Sequence, residues 1–159
     1  MMLHSRTDLW REQQRVACHE AAHAVTRFAC GLQIDHVTIV GRLEGDRMIN
    51  GSVIGGVTDD SERSDFSRII VLVAGSIGEQ LYLGEGRGLR GSDKWKALRY
   101  AEHLASNSNA ISLLIRAAEI EAESIIRQHN RSFRALVKAL LARSVMTGND
   151  VVALIERNI

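Results

Sequence analysis

The chain of 159 residues has the length of one domain, and its 45% hydrophobic and 25% charged residues are ordinary for a globular protein. Its formal net charge of +1 gives no electrostatic reason to propose nucleic acid or an anionic membrane as a partner. No signal-peptide core is present near the start, and no apolar run approaches the roughly 20 residues of a membrane span. We therefore expect a cytoplasmic protein.

The first predicted element is a helix that begins near Asp8 and ends before Gly31, a residue typical of the position after a helix. A strand is predicted at 34–40, where β-branched residues alternate with others. A polar turn at 41–46 then leads to a second strand at 48–57, antiparallel to the first. The glycines of this second strand favour an edge position or a close approach to another backbone.

The rest of the chain is predicted to be helical. The segment 62–83 is apolar on all sides in its middle and should be the central buried helix. A Gly-rich loop at 84–91 follows, and Ser92 is expected to cap the next helix. Further helices are predicted on either side of a break at 107–109, at 93–105, 111–127, 131–143 and 150–156, the last behind Asn149. The predicted fold is mainly α, within the α+β class, with one small antiparallel sheet.

The long N-terminal helix carries His19-Glu20-Ala21-Ala22-His23, the H-E-x-x-H pattern. On a helix, residues four apart lie on one face, so both imidazoles can bind the same Zn²⁺ ion. Glu20 is rotated by about 100° from His19, which places its carboxylate beside the metal rather than on it. From there it can act as general base and take a proton from a water held by the metal.

The alternative interpretation of this motif is a helical pair of histidines without metal, one buried and one exposed. Small and apolar neighbours such as Ala17 and Val25 favour a buried helix that carries polar groups into a site. A zinc site also needs a third protein ligand, which the pattern does not locate.

Cys18 and Cys30 have no CxxC spacing and are expected as free thiols, and the side chain of Cys18 points away from the histidine pair.

Two further stretches join the first motif, at 73–81 and 90–97. Together with residues 18–25 they resemble three motifs of the zinc peptidase domain of the FtsH family, membrane-anchored ATP-dependent proteases. The family's motifs are H-E-A-G-H-A, G-G-R-x-A-E-E-x and G-A-x-x-D-x-x-x-A, and their order and approximate spacing agree with this chain. The resemblance extends from about Arg15 to Ile159 and includes neither a P-loop ATPase module nor transmembrane segments.

The resemblance implies a single, stand-alone peptidase domain over residues 1–159. Within it we expect a flexible tail at 1–7, a metal-site half at 8–105 and a C-terminal helical half at 106–159. Two departures from the family are visible. Ala22 occupies a position where the family usually has Gly, and the segment that follows the third motif is far shorter than in the family.

The resemblance also supplies the missing ligand, because the Asp of the third motif completes the family's zinc site and corresponds to Asp93. The alternative is that Asp93 only stabilises the positive end of its helix. Glu79 matches a Glu near the zinc, where it would accept a hydrogen bond from a ligating histidine. The alternative for Glu79 is an ordinary solvated helix residue.

Family members hold substrate as an added strand against a sheet edge, and the second predicted strand lies where that edge should be. The residues expected to bind substrate backbone in this way are Gly51, Ser52, Val53, Ile54 and Gly55. The alternative is a plain hairpin strand with no role in binding. The other histidines, His36, His103 and His129, are expected at the surface or as hydrogen-bonded core residues.

We therefore expect a zinc-dependent endopeptidase that cuts unfolded or flexible polypeptides, with zinc held by His19, His23 and Asp93 and with Glu20 as general base. A separate ATPase or adaptor would deliver folded substrates, and a homo-oligomer is the family's habit. One rival is a peptidase-derived binding module that holds a partner at the sheet edge without cutting it. A second rival is a metal-free helical scaffold.

Overall fold

The computed structural model of the protein describes residues 6–44, 47–49, 51–54 and 62–159. Within these ranges the helices are α1 (Arg6–Ala29), α2 (Glu62–Leu83), α3 (Gly91–Leu104), α4 (Ser108–Gln128), α5 (Asn130–Arg143) and α6 (Gly148–Glu156). The strands, three residues each, are β1 (His36–Thr38), β2 (Arg42–Glu44), β3 (Arg47–Ile49), β4 (Ser52–Ile54) and β5 (Val145–Thr147). The prediction of a mainly helical chain with a small antiparallel sheet is confirmed.

Glycine ends the two helices that carry most of the candidate site. Gly31 follows α1 and Gly84 follows α2, with φ angles of 70° and 78° in the left-handed region. Glycine adopts this conformation without the steric cost of a Cβ, so both helices end where the sequence predicts. At its other end α1 begins at Arg6, so residues 6 and 7 of the expected tail belong to the helix. Residues 1–5 lie outside the described residues.

The starts of the later helices differ from those predicted. α3 begins at Gly91, so Ser92 lies inside the helix and is not its cap. The break expected at 107–109 lies at 105–107, because the Asn107 side chain accepts hydrogen bonds from two backbone N–H groups and caps α4, which begins at Ser108. Thr147, rather than Asn149, caps α6 by accepting a hydrogen bond from the backbone N–H of Asp150 at 3.2 Å. Short polar side chains at neighbouring positions all favour caps, so local sequence does not choose between them.

The three-stranded sheet has the order β4-β1-β5, and both pairings are antiparallel. Val37 at the centre of β1 is fully buried and lies opposite Val53 of β4 and Met146 of β5. β1 is shorter than the strand predicted at 34–40. β5 was not predicted, because three residues between two helices carry no alternating pattern. Pairing with β1, rather than intrinsic preference, makes this segment a strand.

The predicted turn at 41–46 and the single strand at 48–57 are wrong in part. β2 and β3 pair as an antiparallel hairpin, so residues 42–44 of the expected turn form a strand. β4 is a separate strand that begins after Gly51. There the chain passes so close to α1 that a Cβ on Gly51 would lie 2.7 Å from Cγ1 of Val16. The parts of both predictions outside the described residues are positions 45, 46, 50 and 55–57.

α2 is central to the helical packing, and it contacts α1, α3 and α4. α1 and α2 approach closely because glycine lies at their contact: a Cβ on Gly78 would be 2.5 Å from Cβ of Ala22. The buried apolar residues in the middle of α2 confirm it as the buried helix, and they are Ile69, Ile70, Val71, Val73 and Ala74. The sequence pattern of an all-round apolar segment therefore predicted its position correctly.

α2 also contains the segment of the described chain that could cross a membrane by length and composition. The window Asp65–Leu83 has 19 residues, and its mean hydropathy is 1.3. On these two measures, the expectation that no segment approaches a membrane span was wrong. Of this window, 44% is buried inside the protein, and a core helix passes the same test.

Candidate metal centre

Two histidines of α1 lie one turn apart on the same face of the helix. The rings of His19 and His23 meet edge to face, with centroids 4.6 Å apart. His23 is buried, whereas His19 is half-buried and lines an open cleft. Because residues four apart share a helix face, helical geometry alone brings the two rings together.

Each histidine has its Nδ1 atom hydrogen-bonded to an oxygen of α2. Nδ1 of His19 lies 2.7 Å from Oε1 of Glu79, and Nδ1 of His23 lies 2.6 Å from the carbonyl oxygen of Val71. Carbonyl and carboxylate oxygens accept, so both Nδ1 atoms carry the donated hydrogen. In the neutral rings the lone pair is then on Nε2, the atom left available to a metal.

Asp93, in the first turn of α3, is the third member of the cluster. Its Oδ2 lies 3.1 Å from Nε2 of His19 and 3.3 Å from Nε2 of His23. Ligand atoms of a tetrahedral zinc ion, with bonds of about 2.0–2.1 Å, are about 3.3 Å apart. Both separations match that value, and one ligand atom from each of the three residues lies within 4.8 Å of the others. The donor set and the two separations from Asp93 therefore fit zinc.

α2 comes close enough to supply Val71 and Glu79 because residue 75 is glycine. A Cβ built on Gly75 would lie 2.6 Å from Nδ1 of His19, and closer still to two other ring atoms. The His19 ring therefore rests against the backbone of α2 at this point. No larger residue leaves the ring its present position.

Glu20 lies beside this cluster in a buried position. Its exposed fraction is 5%, and within the described part of the chain no hydrogen-bond partner is found for its Oε2 atom. Burial raises the pKa of Glu20, although the two nearby histidines oppose the shift. A Cβ on Gly51 would lie 2.9 Å from Oε1 of Glu20, so the chain just before β4 runs directly past the carboxylate. A carboxyl group of this kind is suited to taking and returning a proton.

The histidine and the carboxylates of the cluster strongly influence one another's protonation. Burial lowers the pKa of His19, but hydrogen bonds with Asp93 and Glu79 outweigh it and raise the pKa to about 10. Burial raises the pKa of Asp93, but hydrogen bonds with His19 and His23 outweigh it and hold the pKa below its usual range. At neutral pH His19 is therefore protonated and lies next to an ionised Asp93.

A small open cleft borders the cluster on the side of His19. Leu72 and Ser76 of α2 form one wall, and Leu89 and Arg90 of the loop before α3 form another. His19 and Asp93 also line this cleft, so two of the three residues of the cluster face an opening to the solvent.

The residues expected to bind substrate backbone lie on the β4 side of Glu20. Gly51 precedes β4, and Ser52, Val53 and Ile54 form it. β4 pairs with β1 on one side, and among the described residues no other strand pairs with it. Gly55 lies outside the described residues.

The other candidate ligands do not join the cluster within the described part of the chain. Cys18 is fully buried, and burial, with a smaller contribution from Glu79, raises the pKa of its thiol to about 12. The thiol therefore stays protonated and is a poor metal ligand. Cys18 and Cys30 are both free, and His103 lies 3.2 Å from Asp65, away from the site.

Three contributors to this site were not predicted from the sequence. Val71 provides a backbone carbonyl, which no side-chain pattern can reveal. Gly75 belonged to a recognised stretch, but its contact with His19 depends on how α1 and α2 pack. Arg15 contacts Glu79 and lies four residues before His19, and that spacing on one helix face is a signal that could have found it.

No protein-family model matches the chain, and a search of curated proteins found no significant match. The interpretation of the site therefore depends on its own residues and their geometry.

Proposed function

We propose that the chain is a zinc-dependent endopeptidase similar to the peptidase domain of the FtsH family. The observation that carries the proposal is the convergence of His19, His23 and Asp93, with both Nδ1 atoms hydrogen-bonded and Glu20 buried beside them. Two imidazoles and one carboxylate are a typical ligand set of catalytic zinc sites, which keep one coordination position open.

His19, His23 and Asp93 would hold the zinc ion, while Glu79 and Val71 keep the two rings in orientation. Bound zinc supplies a Lewis acid that polarises a peptide carbonyl and makes water reactive near neutral pH. Glu20 takes a proton from the attacking water and passes it to the leaving amine. Its raised pKa favours holding the proton between these two transfers.

The proposed substrates are unfolded or flexible polypeptides that bind as an added strand along residues 51–54. Backbone hydrogen bonds to a sheet edge provide affinity with little dependence on substrate sequence. The close approach of Gly51 to Glu20 supports this placement, because it brings the start of the edge next to the proposed base. Cytoplasmic location, delivery of folded substrates by a separate ATPase or adaptor, and homo-oligomer formation belong to the same proposal.

A second candidate function is a peptide-binding module that uses β4 without cutting its ligand. The observation that favours it is the side of β4 that no other described strand pairs with, which needs no metal to bind an extended peptide. The two functions differ in whether a bound polypeptide is hydrolysed.

Metal analysis and a cleavage assay test the proposal together. We expect about one zinc ion per chain, as in a mononuclear site, and we expect casein to be cut by the zinc-loaded protein. A chelator should abolish cleavage, and added zinc should restore it. Bound zinc without cleavage of casein or of a peptide library would favour the binding module. Absence of bound zinc after careful purification would contradict the metal site itself.

Zinc binding is expected to depend on pH, because the ion must displace the proton of His19. Since the pKa of His19 is raised to about 10, this proton is present at pH 7 and increasingly absent above pH 10. Asp93 is already ionised at both values. The apparent affinity should therefore rise about tenfold per pH unit between pH 7 and 9, with about one proton released. Calorimetry in buffers of different ionisation enthalpy measures that release, and an affinity independent of pH would contradict this assignment.

A further inference from the structure

Arg15 is a basic residue that contacts the hydrogen-bond network of the candidate metal site. It precedes His19 by one turn of α1, so both side chains extend from the same helix face. Nη1 of Arg15 lies 3.4 Å from Oε2 of Glu79, while Oε1 of the same carboxylate lies 2.7 Å from Nδ1 of His19. Glu79 therefore bridges a guanidinium and a ligating imidazole with its two oxygen atoms.

Burial decides which contacts of Arg15 matter. The side chain of Glu79 is 6% exposed and that of Arg15 is 16% exposed, so this pair is largely shielded from water. Arg15 also lies 3.4 Å from Glu85 and from Glu12, but those carboxylates are 72% and 40% exposed. Exposed ion pairs contribute little, whereas a buried carboxylate needs a positive partner. The contact with Glu79 is therefore the important one.

Glu79 can accept the hydrogen bond from Nδ1 of His19 only while the Glu79 carboxylate keeps its present orientation. A carboxylate that rotates away leaves Nδ1 of His19 without its acceptor, and Nε2 then loses its fixed direction toward Asp93. Among the described residues, Arg15 and His19 are the two basic side chains that lie within 4 Å of the Glu79 carboxylate. When the His19 ring is neutral, Arg15 is the positively charged one of these two side chains that contact Glu79.

We propose that Arg15 is a positioning residue of the metal site, which holds Glu79 so that Glu79 orients His19. The inference rests on the proposed zinc function. It assigns to Arg15 no contact with substrate or with metal.

The direction in which removal of Arg15 changes zinc affinity distinguishes a positioning role of Arg15 from a simple effect of its charge. If Arg15 acted only as a positive charge near a cation site, its removal would strengthen zinc binding by reducing repulsion. If it positions Glu79, its removal should weaken zinc binding. Loss of a residue that orients a metal ligand typically reduces metal affinity about 10- to 100-fold. Arg15 acts one contact further from the metal, so we expect Arg15→Gln to reduce zinc affinity about tenfold.

Zinc affinity is measured by competition with a chromophoric chelator, with folding of each variant checked by circular dichroism. Arg87→Gln is the matched control, because it removes the same charge from a residue that pairs with Glu12 rather than with Glu79. This control should bind zinc as the wild type does or slightly more tightly. Arg15→Lys keeps the charge and should recover part of the lost affinity, and it carries the test if Arg15→Gln does not fold.

A double-mutant cycle shows whether Arg15 acts through Glu79. In the Glu79→Gln background, Arg15→Gln should cause no further loss of zinc affinity, because the carboxylate that it positions is already gone. Independent, multiplicative effects of the two substitutions would overturn the inference, as would unchanged or tighter zinc binding by Arg15→Gln. If the wild type binds no zinc, the proposed function fails and this inference fails with it.

Discussion

Replacement of Glu20 with Gln is expected to lower the rate of casein cleavage by about 100- to 10,000-fold, the range that a general base contributes, while zinc stays bound. The amide keeps the size of the side chain but cannot take a proton from water. Because Glu20 is not one of the three residues in the ligand cluster, the affinity for zinc should stay close to that of the wild type. Cleavage and zinc content are measured on the same preparations.

The buried position of Glu20 makes this substitution informative. Oε2 has no hydrogen-bond partner within the described residues, so an amide there breaks no existing bond, and the lost cost of burying a charge offsets the cost of burying an unpaired amide. We therefore expect Glu20→Gln to be about as stable as the wild type to heat. A loss of activity then cannot be attributed to unfolding.

The matched control is Glu12→Gln, on the same helix but with an exposed side chain that pairs with Arg87. This variant should cut casein at the wild-type rate. Equal cleavage by wild type and Glu20→Gln would point to a contaminating protease. Retention of most of the activity in repeatedly purified Glu20→Gln would show that another group is the base.

Gly75→Ala is expected to weaken zinc binding at least about 100-fold, the upper end of what loss of ligand orientation causes. The new Cβ would overlap the His19 ring, so either the ring turns away from Asp93 or α1 and α2 separate. In an ordinary helix this substitution would be stabilising by about 1 kcal/mol, because alanine favours helix and glycine does not. Helix preference alone would stabilise the variant, so it cannot account for the expected loss of zinc affinity.

Ser76→Ala is the matched control for Gly75→Ala. It changes the next residue of α2, which lines the cleft but not the ligand cluster, by one oxygen atom, and the contact found for its hydroxyl among the described residues is a long one, 3.5 Å, with the Val73 carbonyl. Its zinc affinity should equal that of the wild type. Competition with a chelator measures the zinc affinity of the wild type and of both variants. Wild-type zinc affinity in Gly75→Ala would contradict the position assigned to the His19 ring.

The parts of the site that could be predicted from the sequence are those fixed by local geometry. The spacing of His19 and His23 determines their shared helix face, and Gly31 and Gly84 mark the ends of both helices. Asp93 lies 70 residues after His23, and no periodicity connects them. A resemblance, not the local pattern, pointed to it.

The parts that could not be predicted depend on packing between distant segments. The carbonyl of Val71 becomes a partner of His23 only because α1 lies against α2. β5 exists only because β1 pairs with it, and Gly51 interrupts a predicted strand because α1 lies beside it. In each case the deciding contact joins residues far apart in the chain, which a reading of neighbouring residues does not include.

The strand order β4-β1-β5 has a consequence for the timing of folding during synthesis. β1 is the middle strand, and its second neighbour, β5, comes more than 100 residues later in the chain, with Val145 opposite Thr38. Until the ribosome has released that segment, β1 has an open side that can pair with other chains. The strand that runs past Glu20 therefore rests on a sheet completed late, and the helices α1, α2 and α3 can meet before it. A nascent chain could therefore bring His19, His23 and Asp93 together before the third strand completes this sheet.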